Sequence, residues 1–285
     1  PVAANNTGIV NEDATLTVAD GASANSITTA AVSHDSSPKA ITSDENWPAG
    51  LVFSHDGKKM FHGGNDDDDI HEYTLSTAWD VSTASYVDAF SIEDEDNEPF
   101  GLTFNNDGTK MYVAGAGTSD SIHQYTLSTA YDVSTAEYAS KALDVGDEDG
   151  RICGIRFNND GTKLFVTAFI NDYINEYALT TAYDVSTASY SGDSERFSIS
   201  QDAYPRDVQF NLDGTRMFVV GGTNDNIYEY TLSCYYGVVN CIDPTSDKDD
   251  VASVEAQTEA AKKLIQHTTY PILNRMEWLR RNTNN

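Results

Sequence analysis

The sequence predicts an all-β fold, a four-bladed β-propeller, because one unit recurs four times, each unit has the hydrophobic alternation of strands, and each contains an Asp-Gly turn. The unit is about fifty residues long, and a period of this size indicates a solenoid, an array or a propeller. Apolar residues alternate in short runs without helical spacing, which is typical of antiparallel strands. Four such strands form one blade of a propeller. The units begin at Gly50, Gly101, Gly154 and Asp207.

The second unit shows the strands of a blade most clearly. We predict a first strand over Leu102–Phe104, a second over Lys110–Ala114, a third over Ser121–Leu127 and a fourth over Tyr138–Val145. The Asn-Asp-Gly turn between the first two strands supplies the positive φ angles that a tight hairpin needs. One aromatic residue recurs in the third strand and another just beyond it, and we interpret both as packing residues. They are Tyr73, Tyr125, Tyr177 and Tyr230 in the strand, and Trp79, Tyr131, Tyr183 and Tyr236 beyond it.

The ends of the repeated region predict how the ring closes. The last unit has no recognisable fourth strand after Leu232, whereas Lys39–Thr42 precedes the first unit at the place of a fourth strand. Ile41 and Ile92 occupy the same position before the first and second units. We therefore expect the N-terminal strand to pair beside the strand that contains Tyr230, which leaves no unpaired edge at that point.

Changes in composition divide the chain into three parts. Towards the C-terminus, apolar residues recur at helical spacing over Asp249–Thr268 and again over Ile272–Arg281, which predicts a short helical segment. The sequence opens at Pro1 without a methionine, so we expect it to be a piece of a larger or processed protein. The predicted parts are an extended linker over 1–37, the propeller over 38–243 and the helical segment over 244–285.

The charge and the cysteines narrow the function classes. The formal net charge of −28 repels nucleic acid and anionic lipid, so we expect no nucleic-acid partner. No apolar run approaches the length of about 18 residues that suggests a membrane-spanning helix. Cys234 and Cys241 are close enough to staple one loop, which would place the protein in an oxidising compartment. Cys153 lies at the start of an apolar strand and is expected to be a buried free thiol.

The sequence contains no recognisable catalytic motif. It has no nucleophile motif, no phosphate-binding loop and no two-histidine zinc pattern, and its six histidines are scattered. We therefore predict that the protein is not an enzyme and name no catalytic residue.

Carboxylates concentrate in loops that the blade topology places at one end of the ring. These loops lead into the first strand of each blade or join its second and third strands. Ca²⁺ is the hard cation that suits clustered oxygen ligands, so calcium is the expected cofactor. The alternative is that the acidic rim provides solubility in saline surroundings without a specific ion. The predicted metal ligands, from two adjacent loops, are Asp66, Asp68, Glu93 and Asp94.

Three segments resemble parts of bacterial surface proteins. Asn11–Val18 resembles the opening of the cadherin-like repeats of large bacterial adhesins. The region 38–243, with its Asp-Gly-Thr-Lys turns, resembles the propeller repeats of marine bacterial surface proteins and some phage tail proteins. Leu273–Arg281 resembles the junction helix of autotransporters, which leads from a secreted passenger into an outer-membrane barrel. The alternative for this last segment is an amphipathic helix that packs on the propeller or on another copy.

These resemblances imply a non-catalytic, secreted or cell-surface propeller of a larger bacterial surface protein, acting in adhesion or surface-layer assembly. The implied location is extracellular, at the bacterial cell surface. The implied partners are another copy or a cell-surface glycan, with the outer membrane reached only through a downstream barrel. Two alternatives stay open: a carbohydrate- or receptor-binding module of phage-tail type, and a hydrolase or lyase. A convergent pocket with perturbed carboxylates would favour the enzyme, whereas a self-complementary apolar patch would favour assembly.

Overall fold

The structure is a computed structural model that describes residues 38–41, 44–117, 119–190, 192 and 196–238. Its strands form four antiparallel sheets in a propeller arrangement, one sheet for each sequence unit, which confirms the predicted four-bladed fold. The predicted linker over 1–37 and the predicted helical segment over 244–285 lie outside the described residues. In the part of the chain that is described, no helix is long and apolar enough to cross a membrane.

Each blade is a meander of consecutive strands. The fourth strand of blade 3 is split into two short pieces, and both pair with the third strand. Blade 1 contains β1 (Pro48–Phe53), β2 (Lys59–Gly64), β3 (Asp69–Leu75) and β4 (Ala84–Ser91); blade 2 contains β5 (Pro99–Phe104), β6 (Lys110–Gly115), β7 (Ser121–Leu127) and β8 (Ala136–Asp144); blade 3 contains β9 (Ile152–Phe157), β10 (Lys163–Ala168), β11 (Tyr173–Leu179), β12 (Ala188–Ser189) and β13 (Arg196–Ser198); blade 4 contains β14 (Asp207–Phe210), β15 (Arg216–Val220) and β16 (Ile227–Thr231).

The Asp-Gly turn and the aromatic residue beyond the third strand form one local unit in each blade. In blade 2, the Asp107 carboxylate accepts hydrogen bonds from Thr109 N (3.0 Å) and Thr109 Oγ1 (2.5 Å). Gly108 has a φ of +72°, and a Cβ there would lie 2.2 Å from the Tyr131 ring. The turn therefore needs glycine both for its backbone angle and for the ring that covers it.

Neighbouring blades pack through a recurring aromatic pair. An aromatic side chain of the second strand is fully buried against a phenylalanine at the end of the next blade's first strand. Aromatic pairs at such distances contribute about 0.5–1.5 kcal/mol beyond the area that they bury. The pairs and their ring-centroid distances are Phe61–Phe104 at 4.7 Å, Tyr112–Phe157 at 4.6 Å and Phe165–Phe210 at 4.5 Å.

Two side-chain bonds to the backbone of the next blade complete each interface. Between blades 1 and 2, Lys59 Nζ donates to Tyr131 O at 2.6 Å, and Glu72 Oε2 accepts from Val133 N at 2.9 Å. The same bonds recur at the next two interfaces. They join Lys110 Nζ to Tyr183 O and Lys163 Nζ to Tyr236 O, and Val185 N to Gln124 Oε1 and Val238 N to Glu176 Oε2.

The structure differs from the predicted ring closure. Ile41 packs beside Met60 and Tyr73 of blade 1, so it does occupy the position that Ile92 has in the next blade. However, among the described residues β16 pairs only with β15, and residues 38–41 are not in a strand. The expected pairing of Lys39–Thr42 beside Tyr230 is therefore not present; Thr42 itself lies outside the described residues. Ile41 is placed by its packing on the next blade, as Ile92 is on blade 2, and this packing does not require the neighbouring residues to pair with blade 4.

Candidate functional site

The first strands of all four blades line a central cavity of about 380 Å³. Glycines let these strands approach one another closely. A Cβ on Gly101 would lie 2.4 Å from Cys153 O, and one on Gly154 would lie 2.5 Å from Asp207 Oδ1. The narrow spacing around the axis therefore depends on residues without side chains, and it brings the residues that precede each first strand together at one mouth of the cavity.

Three arginines line this cavity, in a chain whose net charge is −28. Arg156 belongs to β9, whereas Arg151 and Arg206 directly precede β9 and β14. The described residues contain five arginines, so more than half of them converge on one small volume. Such a concentration of guanidinium groups favours an anionic ligand, because these groups present paired donors to carboxylate or phosphate.

Arg156 is the most enclosed of the three, with its side chain 13% exposed. Its Nη1 donates to Thr103 Oγ1 at 3.1 Å, and its Nη2 lies 3.6 Å from Asp207 Oδ2. Its Nε is buried and has no hydrogen-bond partner among the described residues. Burial lowers the pKa of Arg156, and the nearby Asp207 opposes this change. The guanidinium therefore contributes its positive charge to the cavity, while its Nη atoms are engaged by Thr103 and Asp207.

Arg151 and Arg206 are positioned by aromatic rings rather than by close ion pairs. Both guanidinium groups lie over the Phe169 ring, at 5.2 Å and 5.0 Å from its centroid, and Arg151 also lies 4.8 Å from the Phe100 ring. Arg151 Nη2 is 3.9 Å from Glu98 Oε2, at the outer limit of an ion pair. Cation–π contact orients a guanidinium without using all of its donors, so both groups keep hydrogen-bonding capacity for a ligand.

Cys153 also lines the cavity but is not poised as a nucleophile. It is a free, buried cysteine, as the sequence predicted. Burial raises the pKa of its thiol to about 11, so the thiol is protonated near neutral pH. The carboxylates of Asp207 and Glu98, each about one-third exposed, are therefore the basic groups beside the arginines.

The acidic rim is in part structural. Asp149 is buried before β9, and its carboxylate accepts hydrogen bonds from Arg151 N at 2.8 Å and from Ile170 N and Asn171 N at 3.0 Å and 2.8 Å. It thereby fixes the loop between β10 and β11. A buried carboxylate holds the corresponding loop in the other blades, at Glu45, Asp96 and Asp202. The sequence predicts only rim charges at these positions, because a buried and a solvated carboxylate look alike in the same loop.

The four predicted calcium ligands lie in the two expected loops. Burial raises the pKa of Asp68, and the negative charge of the nearby Glu93 raises it further. Asp66 Oδ2 accepts a hydrogen bond from Asn46 Nδ2 at 2.9 Å, and Asp94 is exposed. The calcium site at these four residues stays a prediction.

The arginines were missed because they do not occupy one repeated sequence motif. A signal was nevertheless present in the repeat. The residue directly before each first strand is Trp47, Glu98, Arg151 or Arg206, and all four lie at the cavity or pair with a residue that lines it. An alignment of the units on their first strands places Arg151 and Arg206 at this same position.

No protein-family model matches this chain, and no curated protein does. Many solved structures match it. They include a candidate 6-phosphogluconolactonase from Bacteroides uniformis ATCC 8492 (18% identity, 65% of this chain, 50% of that chain, TM-score 0.47). A protein from Lactobacillus plantarum (19%, 67%, 53%, 0.48) and the periplasmic gluconolactonase PpgL from Pseudomonas aeruginosa (16%, 65%, 49%, 0.44) also match. The chain spans about half the length of these structures, and likeness at this level shows the fold alone.

The comparison corrects two predictions. The expected function was a non-catalytic propeller in adhesion or surface-layer assembly, and the protein was expected not to be an enzyme. Both predictions are contradicted, because two of the matched propellers are named as lactonases, which are enzymes. The propeller part of the family resemblance is supported, whereas its adhesin and autotransporter parts are not.

Proposed function

We propose that this chain is a hydrolase of a small anionic ester, such as the lactone of an acidic or phosphorylated sugar, and that the arginine-lined cavity is its site. The observation that carries the proposal is the convergence of Arg151, Arg156 and Arg206 in a strongly acidic chain, beside two partly exposed carboxylates. Two of the matched structures are named as lactonases, which agrees with this reaction class, but at 18% and 16% identity they carry no argument, and the proposal rests on the cavity.

The residues divide into two roles in this proposal. Arg151 and Arg206, which flank Phe169, bind the anionic group of the ligand. The positive charge of Arg156, which lines the cavity, stabilises the negative charge that develops on the carbonyl oxygen. Asp207 takes a proton from the attacking water, the ring C–O bond of the lactone breaks, and the leaving alkoxide takes up that proton. The product is the open-chain hydroxy acid.

The test is acid release from 6-phosphogluconolactone and from uncharged gluconolactone, followed in a pH-stat. We expect faster hydrolysis of the charged lactone. We expect Arg206→Met to lower kcat/KM for it by about 10–10², because a hydrogen bond to a charged group contributes about 1.5–3 kcal/mol, and to leave the uncharged lactone largely unaffected. Arg196→Met is the matched control, because Arg196 lies over Tyr173 and not in the cavity. Hydrolysis no faster than without the protein, or equal losses in both variants, would refute the proposal.

The disulfide supports a location outside the cytoplasm. Cys234 is disulfide-bonded, in line with the predicted staple, and Cys241 lies outside the described residues. Structural disulfides persist in oxidising compartments such as the periplasm and the cell exterior. We infer that the protein lies outside the cytoplasm. The bacterial cell surface, which the sequence predicted, is one of the locations that this inference includes.

A further inference from the structure

Three side-chain positions meet at the acidic rim of every blade. The first is the buried carboxylate before the first strand. The second directly precedes the aspartate with a positive φ in the loop between the second and third strands, and the third lies in the third strand. The sets are Glu45, Asp67 and His71 in blade 1, Asp96, Ser119 and His123 in blade 2, Asp149, Asn171 and Asn175 in blade 3, and Asp202, Asn224 and Tyr228 in blade 4.

In blades 2 and 4 the set contains a hydroxyl that donates to the buried carboxylate. Ser119 Oγ donates to Asp96 Oδ2 at 2.6 Å and lies 3.0 Å from His123 Nε2. Tyr228 OH donates a hydrogen bond to Asp202 Oδ2 at 3.1 Å. In blade 3, the backbone of Asn171 donates to Asp149. None of these three sets places a second carboxylate beside the buried one.

Blade 1 differs, because its set combines two carboxylates with an imidazole. Glu45 is 2% exposed and His71 is 3% exposed, whereas Asp67 lies at the surface. One ligand atom from each residue lies within 4.8 Å of the other two. Neither ring nitrogen of His71 has a hydrogen-bond partner among the described residues. Two carboxylates this close need a positive charge between them, and a buried imidazole without partners is costly.

We propose that Glu45, Asp67 and His71 bind a divalent transition-metal ion of the zinc class. One imidazole nitrogen and two carboxylate oxygens form a ligand set that suits Zn²⁺, which binds such atoms at about 2.0–2.2 Å. The three atoms lie within 4.8 Å of one another, and the exposed Asp67 side chain can adjust to those bond lengths. The imidazole favours zinc over calcium, because calcium takes oxygen ligands.

The test is zinc binding by the full chain, measured by isothermal titration calorimetry and by the metal content after dialysis. We expect one zinc ion per chain to be lost in both Asp67→Asn and His71→Gln. Asp67→Asn changes an exposed side chain, so it keeps the test valid if His71→Gln does not fold. His123→Gln is the matched control from blade 2, and it should retain the ion.

Several outcomes would overturn the zinc site. Equal zinc content in the wild type and Asp67→Asn is one. Displacement of zinc by an equal concentration of Ca²⁺ is another, because it excludes the transition-metal class. The absence of zinc binding together with a His71 imidazolium signal by NMR would show that a proton, and not a metal, separates the carboxylates.

A second observation concerns the two ends of the row of blades. Leu51 of blade 1 is 55% exposed, although its counterparts Leu102, Ile155 and Val208 in the other blades are buried. Ile227 of blade 4 is 57% exposed, although its counterparts in the other third strands are fully buried. Beside Leu51 lies a cavity of about 730 Å³ that is lined by Met60, Trp79 and Val81 among others.

These two ends are the two halves of the blade interface seen three times within the chain. Blade 4 carries the donating half: Phe218, Arg216 and Glu229 stand where Phe61, Lys59 and Glu72 stand in blade 1. Blade 1 carries the receiving half: Phe53, Trp79 and Val81 stand where Phe104, Tyr131 and Val133 stand in blade 2.

The geometry points to a second copy of this chain as the occupant, docked head to tail, with blade 4 of one copy on blade 1 of the other. Phe218 would pack on Phe53, Arg216 would donate to the Trp79 carbonyl and Glu229 would accept from Val81 N, as at the internal interfaces. A contact of this kind is heterologous, and it closes when the copies complete a ring.

The test is the mass of the full chain in solution by light scattering over a wide range of concentration. We expect an oligomer, and we expect Leu51→Glu and Ile227→Glu each to yield a monomer. Val87→Glu is the control, because Val87 is exposed on β4, away from both faces. A monomeric wild type would contradict the proposal, because these faces are then covered by the chain's own segments or not at all. An oligomer that survives both substitutions would contradict it too.

Discussion

Cys153 and Arg156 are close neighbours in β9 and line the same cavity, yet burial affects their chemistry differently. The thiol stays neutral because desolvation raises its pKa to about 11. Burial lowers the pKa of Arg156, but arginine titrates so far above neutral pH that the guanidinium keeps its charge. The side chains that can act on an anionic ligand are therefore the arginines and their carboxylate neighbours.

We predict that Cys153 does not react with thiol reagents in the folded protein at pH 8. The thiolate is the reactive form, and both its high pKa and its burial keep it scarce and inaccessible. Mass spectrometry of the Cys153 peptide after treatment with iodoacetamide checks this, with the protein unfolded in guanidinium as the positive control. Labelling of the native protein at the rate of a free cysteine would contradict the burial of this thiol.

Asp149 provides a second test at the residue scale. Replacing it with alanine removes the acceptor of several backbone N–H groups and leaves them unsatisfied in a buried loop. We expect Asp149→Ala to lower the free energy of unfolding by about 2–4 kcal/mol, measured by urea denaturation. Asp147→Ala is the matched control, because Asp147 is exposed in the same connection, and it should change stability by less than about 0.5 kcal/mol. Similar effects in the two variants would contradict the structural role of Asp149.

At the scale of elements, sequence reasoning was strong where each blade repeats and weak where blades differ. The third strand of blade 2 was predicted with its observed bounds, Ser121–Leu127, because its alternation and flanking turns are local signals. The arginine cavity could not be predicted in the same way. Its residues come from different blades and occupy non-equivalent positions, and only the arrangement around the axis brings them together.

The turn between the first two strands of a blade gives the test at this scale. Gly161 has a φ of +74°, and a Cβ there would lie 2.3 Å from the Tyr183 ring. Gly192 has a φ of +99°, with nothing within 4 Å of its Cβ position. Both substitutions by alanine carry backbone strain, but only the first also displaces a packed ring.

We therefore expect Gly161→Ala to destabilise the protein by at least about 1 kcal/mol more than Gly192→Ala does. Chemical denaturation of both variants beside the wild type measures the difference. Equal destabilisation would mean that the ring over the turn moves aside without cost.

At the scale of the whole molecule, the charge of −28 affects stability as well as partners. The buried rim carboxylates are held by backbone N–H groups and contribute to the fold. Exposed rim groups such as Asp94 have no such compensation from the blade framework that is described, so their mutual repulsion destabilises the folded state. The sequence showed this excess charge but could not separate the structural carboxylates from the solvated ones, because both lie in the same loops.

The last prediction concerns ions. We expect the melting temperature to rise with NaCl, because screening over a Debye length of about 8 Å at physiological ionic strength weakens the repulsion between exposed carboxylates. If the predicted calcium site exists, Ca²⁺ at matched ionic strength raises the melting temperature further, since an ion that binds only the folded state stabilises it. Neutralising Asp66, Asp68, Glu93 and Asp94 together should remove this additional rise, and neutralising the exposed Asp88 and Glu137 should leave it unchanged. Identical melting curves in Ca²⁺ and NaCl would show that these four carboxylates are solvated charges and not a calcium site.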